Sequence, residues 1–257
     1  MSRARSQVQD PRGDVAPRAL RSTGLSVSFD GVQALQEIDL ELRHREILGL
    51  IGPNGAGKST MTNALTGFTR YSGRLEVDGR DVTGWSPPRL ARFGVRRSFQ
   101  AVRLFHGMSV RENVEVAALG CGLTTSSARR AAEDALAAFD LLQYADAPAD
   151  SMPYGHERRL GIARAVVAQP RFLLLDEPAA GLNEEESDQL LTQLEAVPQH
   201  FDCGVLLIEH DMRLVMGLCH RIHVIDHGRT IAVGTPDQVR ADPAVIEAYL
   251  GSGSQHA

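Results

Sequence analysis

The stretch from Ile47 to Thr60 limits what this chain can fold into more than any other. It opens with Ile47-Leu48-Gly49-Leu50-Ile51, a short apolar run with the pattern of a buried strand. G-x-x-x-x-G-K-S follows, spelled Gly52-Pro53-Asn54-Gly55-Ala56-Gly57-Lys58-Ser59. The glycines let the backbone fold back on itself, so that several N–H groups point into one hollow. A phosphate fits that hollow, and a helix starting near Lys58 adds the positive end of its dipole. Lys58 is long enough to reach the β- and γ-phosphates of a nucleotide, and the Ser59 hydroxyl can ligand Mg²⁺. Thr60 is a second hydroxyl in the same turn. The helix-forming residues Met61 to Leu65 complete a strand–loop–helix context that a chance glycine-rich turn lacks.

A chain of 257 residues can bury a large core. Its net charge of −5, without a basic block, gives nothing that favours nucleic acid as the main partner. No apolar run approaches the ~18 residues of a membrane span, so any work at a membrane needs other chains to supply the spans. Cys121, Cys203 and Cys219 are far apart and match no metal spacing, which reads as reduced packing residues in a cytosolic protein. Met1 to Arg21 carries arginines, Pro11 and Pro17 but no apolar segment of a signal peptide, and reads as a disordered tail.

Downstream of the tail, Leu25, Val27 and Phe29 alternate with Ser26 and Ser28, a half-buried strand ended by the turn Asp30-Gly31. Phe29 is open to two readings, a core aromatic or a face stacked on adenine. Ala34 to Leu42 and Arg74 to Val77 continue with strand character. Val95 to Gln100 is strand-like and ends on a glutamine, which matters only beside a γ-phosphate and Mg²⁺. Met108 to about Ala168 turns helical, with Ala128 to Leu142 at helical spacing and a later helix entered through Met152-Pro153-Tyr154-Gly155-His156-Glu157.

Phe172-Leu173-Leu174-Leu175 is a solid apolar run, as expected of a central parallel strand buried on both faces. Asp176-Glu177-Pro178 ends it, and strand C-termini are where α/β sheets place their chemistry. Asp176 suits holding Mg²⁺, usually through water, and Glu177 suits orienting and deprotonating an attacking water. Glu184 to Leu194 is an amphipathic helix. Gly204 to Ile208 is a second buried strand, after which His210 sits at the same edge as Asp176 and is open to two readings, a polar cap or a hydrogen-bond partner for a γ-phosphate. Arg221 to Val233 reads as a hairpin turning at His227-Gly228-Arg229. His220 and His223 would point to opposite faces, and His223 and His227 would lie about 13 Å apart, so the cluster is no metal site. Asp237 to Leu250 reads as one terminal helix.

Together these segments resemble the ATP-binding subunit of an ABC transporter over about Leu25 to Leu250. Gly52 to Thr60 matches Walker A, Gln100 the Q-loop and Met152 to Glu157 the signature position. Phe172 to Glu177 matches Walker B with its catalytic glutamate, Ala179 to Asn183 the D-loop, His210 the switch histidine, and Phe29 the aromatic A-loop position. The fold implied is α/β, a P-loop NTPase (RecA-like) core with an antiparallel β-subdomain and an inserted α-helical subdomain at about 101–168. It occupies one domain from 22 to 251, between tails at 1–21 and 252–257. Within the family the chain is most similar to branched-chain amino-acid importer ATPases, through Arg97 to Gln100, Arg103 to Phe105, Met108 to Val114, Pro153 to Gly155, Ala179 to Asn183 and Val245 to Gly251. Urea and short-amide importers share most of these stretches.

The resemblance implies ATP and Mg²⁺ as cofactors. Gly52, Pro53, Asn54, Gly55, Ala56, Gly57, Lys58, Ser59, Thr60 and Phe29 would hold the nucleotide in cis. Tyr154, Gly155 and His156 would hold the nucleotide of a facing subunit. Ser59, Gln100 and Asp176 would serve the metal, and Glu177, His210, Gln100 and Lys58 the hydrolysis. The implied partners are a second ATPase subunit of a different chain, two membrane-spanning permease subunits and, indirectly, an extracytoplasmic substrate-binding protein, with no nucleic acid. The subunit would sit in the cytoplasm against the inner face of the cell membrane. Three positions depart from the general pattern. The signature reads Met152-Pro153-Tyr154-Gly155-His156 instead of L-S-G-G-Q, so Pro153 lacks the serine hydroxyl, and Asn183 stands where an aspartate is usual. The alternatives are a soluble ABC ATPase, disfavoured by the lack of a coiled-coil insertion or tandem cassette, a P-loop GTPase, disfavoured by the lack of N-K-x-D, and an exporter ATPase.

Overall fold

A computed structural model of the chain describes residues 18–98 and 104–251. Strands β1 (Ala19–Phe29), β2 (Val32–Arg43), β3 (Ile47–Ile51), β4 (Ser72–Val77) and β5 (Arg80–Asp81) come early in the chain. They are followed by β6 (Val95–Ser98), β7 (Phe172–Asp176), β8 (Gly204–Ile208), β9 (Arg221–Asp226) and β10 (Arg229–Gly234). The helices are α1 (Lys58–Leu65), α2 (Pro87–Phe93), α3 (Val110–Gly120), α4 (Thr125–Ala138), α5 (Tyr154–Val166), α6 (Glu184–His200), α7 (Met212–Leu218), α8 (Pro236–Ala241) and α9 (Pro243–Gly251).

Two sheets organise these elements. The antiparallel one runs β2-β1-β4-β5, and the larger runs β10-β9-β3-β8-β7-β6. In the larger sheet β9, β3, β8, β7 and β6 are parallel and β10 closes one edge antiparallel. Strands β3, β7 and β8 are buried at all five positions, which is why they read as solid apolar runs. Alternate residues feed two cores. Leu48, Leu50, Phe172, Leu174, Leu206 and Ile208 join Met61, Ala64 and Leu65 of α1 and the inner face of the antiparallel sheet. Ile47, Ile51, Leu173, Leu175, Val205 and Leu207 face the other way, into a core shared with α3, α4, α5 and α6. Helix α1 is thus wedged between the sheets, and its N-terminus is held beside the ends of the parallel strands.

Several sequence expectations shift. The sequence reads as tail through Arg21, but β1 begins at Ala19, where Ala19 and Leu20 are buried between β2 and β4. Flanking arginines hid this. Arg21 pairs with Glu41 at 2.7 Å and Arg18 with Asp202 at 3.3 Å, so charge on the strand is compensated. The terminal helix is two helices, because Pro243 has no N–H to donate and pushes Asp242 to an extended ψ of 120°. Helix α4 stops at Ala138, and Leu142 belongs to a separate short turn. Helix α6 continues to His200 and tolerates Pro198 in its last turns. Helices α2 and α7, each of seven residues, were too short to show a period. Gln100 and the tails at 1–17 and 252–257 lie outside the described residues.

Candidate functional site

The loop after β3 is shaped by close approach of backbone from three sides. A Cβ on Gly52 would lie 1.9 Å from the Ile225 carbonyl oxygen, so only glycine fits. Gly57, the residue before α1, has φ 106° and its Cβ would meet the Ala34 carbonyl at 2.9 Å. The β9–β10 turn braces the loop from behind. There the Gly228 N–H donates to the Ala56 carbonyl at 3.0 Å, and the Gly228 carbonyl accepts from the Gln36 N–H at 2.8 Å. Lys58 curls back over the loop, donating through Nζ to the Gly52 carbonyl at 2.6 Å and the Pro53 carbonyl at 3.0 Å. Burial depresses its pKa, against the upward pull of the nearby Glu177 and Asp176 carboxylates. Asn54, Gly55 and Ser59 stay exposed at the mouth, Pro53 and Thr60 partly so, while Ala56 is buried.

Asp176 and Glu177 approach from β7. The register pairs Leu50 of β3 and Asp176 of β7 with the same residue, Ile208 of β8. The lysine loop and the acidic pair therefore leave the sheet at one level, two strand spacings or about 10 Å apart. Asp176 is buried, and its Oδ2 accepts from Arg97 Nη2 at 2.5 Å. Arg97 Nη1 also donates to Asn63 Oδ1 of α1 at 2.6 Å, tying β6, β7 and α1 together. Glu177 sits at φ 49° with its N–H on the Ile208 carbonyl at 2.9 Å, which turns its side chain out of the strand. His210, just past β8, places Nε2 at 2.6 Å from Glu177 Oε1, a distance at which Nε2–H donates.

Glu209 holds this arrangement from below. It is buried, and its carboxylate accepts from the Ala179 N–H at 2.8 Å and from the His210 N–H at 3.2 Å. Burial pushes its pKa up against those bonds. Sequence reasoning passed over Glu209, Arg97 and Asn63 as site residues, because their partners are 30, 79 and 34 positions away. The one available signal was an acid in an otherwise apolar strand end.

Not every candidate residue joins this cluster. Phe29, at the tip of the β1–β2 hairpin, is 50% exposed, which leaves its ring free for stacking rather than core packing. Tyr154, Gly155 and His156 form the first turn of α5. There the Tyr154 hydroxyl donates to the Ala180 carbonyl at 3.1 Å. His156 stacks edge-on against Tyr144 at 5.0 Å, and burial depresses its pKa. Of the first N–H groups of α5, that of His156 already donates to the Pro153 carbonyl at 2.9 Å, while those of Tyr154 and Gly155 lie where a helix offers no intrahelical acceptor and suit an anion. Asn183 caps α6, its Oδ1 accepting from the Glu186 N–H at 2.9 Å, a role that the usual aspartate would fill equally well. Among the described residues there is no cluster of metal-ligating side chains, His220 and His223 included.

The donor set fits a magnesium nucleotide. A glycine-lined cradle, a lysine head group, an exposed serine hydroxyl and a buried carboxylate converge on one sheet edge, and oxygen ligands suit that hard cation. Comparison with known proteins agrees. The sequence pattern described as ABC transporter matches residues 35–180, and one described as branched-chain amino acid ATP-binding cassette transporter matches 229–254. The chain belongs to the ABC transporter family, whose ATP-binding subunits are ATPases that power transport. It is 45% identical over 248 residues to the high-affinity branched-chain amino acid transport ATP-binding protein LivG of Salmonella typhimurium, covering 90% of this chain and 97% of that one. BraF of Pseudomonas aeruginosa, of the same description, is 41% identical over the same shares. The fold matches the ADP conformation of MJ1267, an ATP-binding cassette of an ABC transporter, with a TM-score of 0.81 at 26% identity over 91% of this chain and 99% of that one.

Proposed function

We propose that this chain is the ATP-hydrolysing subunit of an importer for branched-chain amino acids, working face to face with a second ATPase subunit. The observation that carries the ATPase reading is the convergence of Lys58, Asp176, Glu177 and His210 at the ends of β3, β7 and β8. Residues Gly52 to Thr60 cradle the phosphates, with Lys58 offsetting their charge, and Phe29 stacks on the adenine. Ser59 and Asp176 would hold Mg²⁺, together with Gln100 as the sequence assigns it, and the ion would supply Lewis-acid stabilisation of the phosphoryl oxygens. Glu177 takes a proton from the attacking water, and His210 orients Glu177. The first turn of α5, at Tyr154, Gly155 and His156, is presented to the nucleotide of the facing subunit. Closure with ATP and opening after hydrolysis make a two-state element that drives the permease subunits.

The branched-chain substrate rests on the similarity to LivG and BraF across nearly their whole length, and on the matching C-terminal segment 229–254. Among the described residues no helix is long and apolar enough to cross a membrane. In this reading the permease spans belong to other chains, and the subunit docks on them at the inner membrane face. The test is purification from membranes under mild detergent, identification of the companion chains, and reconstitution. ATP hydrolysis stimulated by a binding protein loaded with leucine, isoleucine or valine is the expected result. Stimulation by urea or a short amide instead would reassign the substrate.

A further inference from the structure

Tyr154 makes contacts that a small residue at the mouth of α5 could not. Its hydroxyl donates to the Ala180 carbonyl at 3.1 Å and accepts from Arg158 Nε at 2.8 Å, one turn further along the helix. Its ring lies over Gly181, where φ is +81° and an added Cβ would stand 2.9 Å from the ring edge. The loop it grips is the one that leaves Glu177. That loop is pinned on its other side by Glu209, whose carboxylate accepts from the Ala179 N–H at 2.8 Å. Glu209 is in turn the neighbour of His210, which bonds Glu177 at 2.6 Å. A short path of hydrogen bonds therefore runs from the hydrolytic pair, through Ala179 and Ala180, to the first turn of α5.

We propose that Tyr154 is a positioning residue that couples the nucleotide state of its own subunit to the α5 N-terminus presented to the facing subunit's nucleotide. A γ-phosphate that displaces His210 and Glu177 shifts the 177–181 loop, and the Tyr154 hydroxyl carries that shift to α5. The inference rests on the face-to-face reading above, and its experiment separates the two. Hydrogen–deuterium exchange is measured on the full chain at dilution, with and without a non-hydrolysable ATP analogue and Mg²⁺, for the wild type and Tyr154→Phe. Phenylalanine keeps the ring over Gly181 and removes only the hydroxyl.

In the wild type the analogue is expected to slow exchange at 52–60 and to change it at 152–160. In Tyr154→Phe the first response persists and the second shrinks by roughly three- to tenfold, the worth of one hydrogen bond. A purely structural hydroxyl would raise exchange at 152–160 equally with and without the analogue, and that result would overturn the inference, as would identical responses in both proteins. Absence of any response at 52–60 in the wild type would overturn the nucleotide-site reading itself, and this inference with it.

Discussion

Arg97 Nη2 lies 2.5 Å from Asp176 Oδ2, with both side chains less than a tenth exposed. The guanidinium stands where it neutralises the carboxylate assigned to the metal, and it reaches Asn63 with its other arm. Removing it leaves a buried charge without its partner, which costs about 3–5 kcal/mol. Arg97→Ala is therefore expected to lower the thermal midpoint sharply in metal-free buffer. Magnesium nucleotide should restore more of the loss than it adds to the wild type, because the cation replaces the missing charge. Equal stabilisation of both proteins would place the metal away from Asp176.

The two ends of the phosphate loop make unequal demands. Gly52→Ala drives a Cβ into the Ile225 carbonyl at 1.9 Å, and backbone on a central strand cannot give way. Gly55→Ala meets open space, although φ is +83°. The expected cost is about 3 kcal/mol or more for the first, from overpacking, and about 1 kcal/mol for the second, from the left-handed backbone. Denaturant midpoints of the two variants check the order.

Glu177→Gln keeps the shape of the side chain and removes the base. Turnover is expected to fall by roughly 10²–10⁴ while nucleotide affinity holds. His210→Ala removes the 2.6 Å contact to Glu177 and should cost about 10²-fold through misplacement of the carboxylate. Steady-state phosphate release with a fluorescent-nucleotide titration separates the terms. Wild-type turnover in Glu177→Gln would remove that residue from catalysis.

His223 on β9 is buried, with its Nε2 at 2.8 Å from Thr230 Oγ1. Burial, then the Arg221 charge, lowers its pKa from 6.5 to about 4. An unfolded chain takes up this proton near pH 6.5, but the folded one refuses it until about pH 4. Between those values the unfolded state binds more protons, so stability falls as the pH drops, by up to about 3 kcal/mol. Urea unfolding at pH 7 and pH 4.5 should show this loss, and His223→Gln should lack that part of it.

The strands of the parallel sheet were legible because burial on both faces leaves no polar position to blur the run, as in Phe172 to Leu175. The edges were less so. Ala19 and Leu20 read as tail because Arg18 and Arg21 are compensated by Asp202 and Glu41, which are remote in sequence. In the site, Lys58, Ser59, Asp176, Glu177 and His210 stood out because each sits at a fixed offset from a strand end. Gln100 carried the same kind of signal but lies outside the described residues.

Local chemistry within a few residues was determined by sequence alone: the glycine cradle, the buried strands, the acidic pair, and the breaks that prolines impose. Tertiary structure alone decided the contacts whose partners meet only after the sheet is assembled. Arg97 finds Asp176 across 79 positions and Glu209 finds Ala179 across 30. The physical reason is that a parallel sheet orders its strands β3-β8-β7 without regard to their order in the chain. No periodicity records which charges the strand ends will bring face to face.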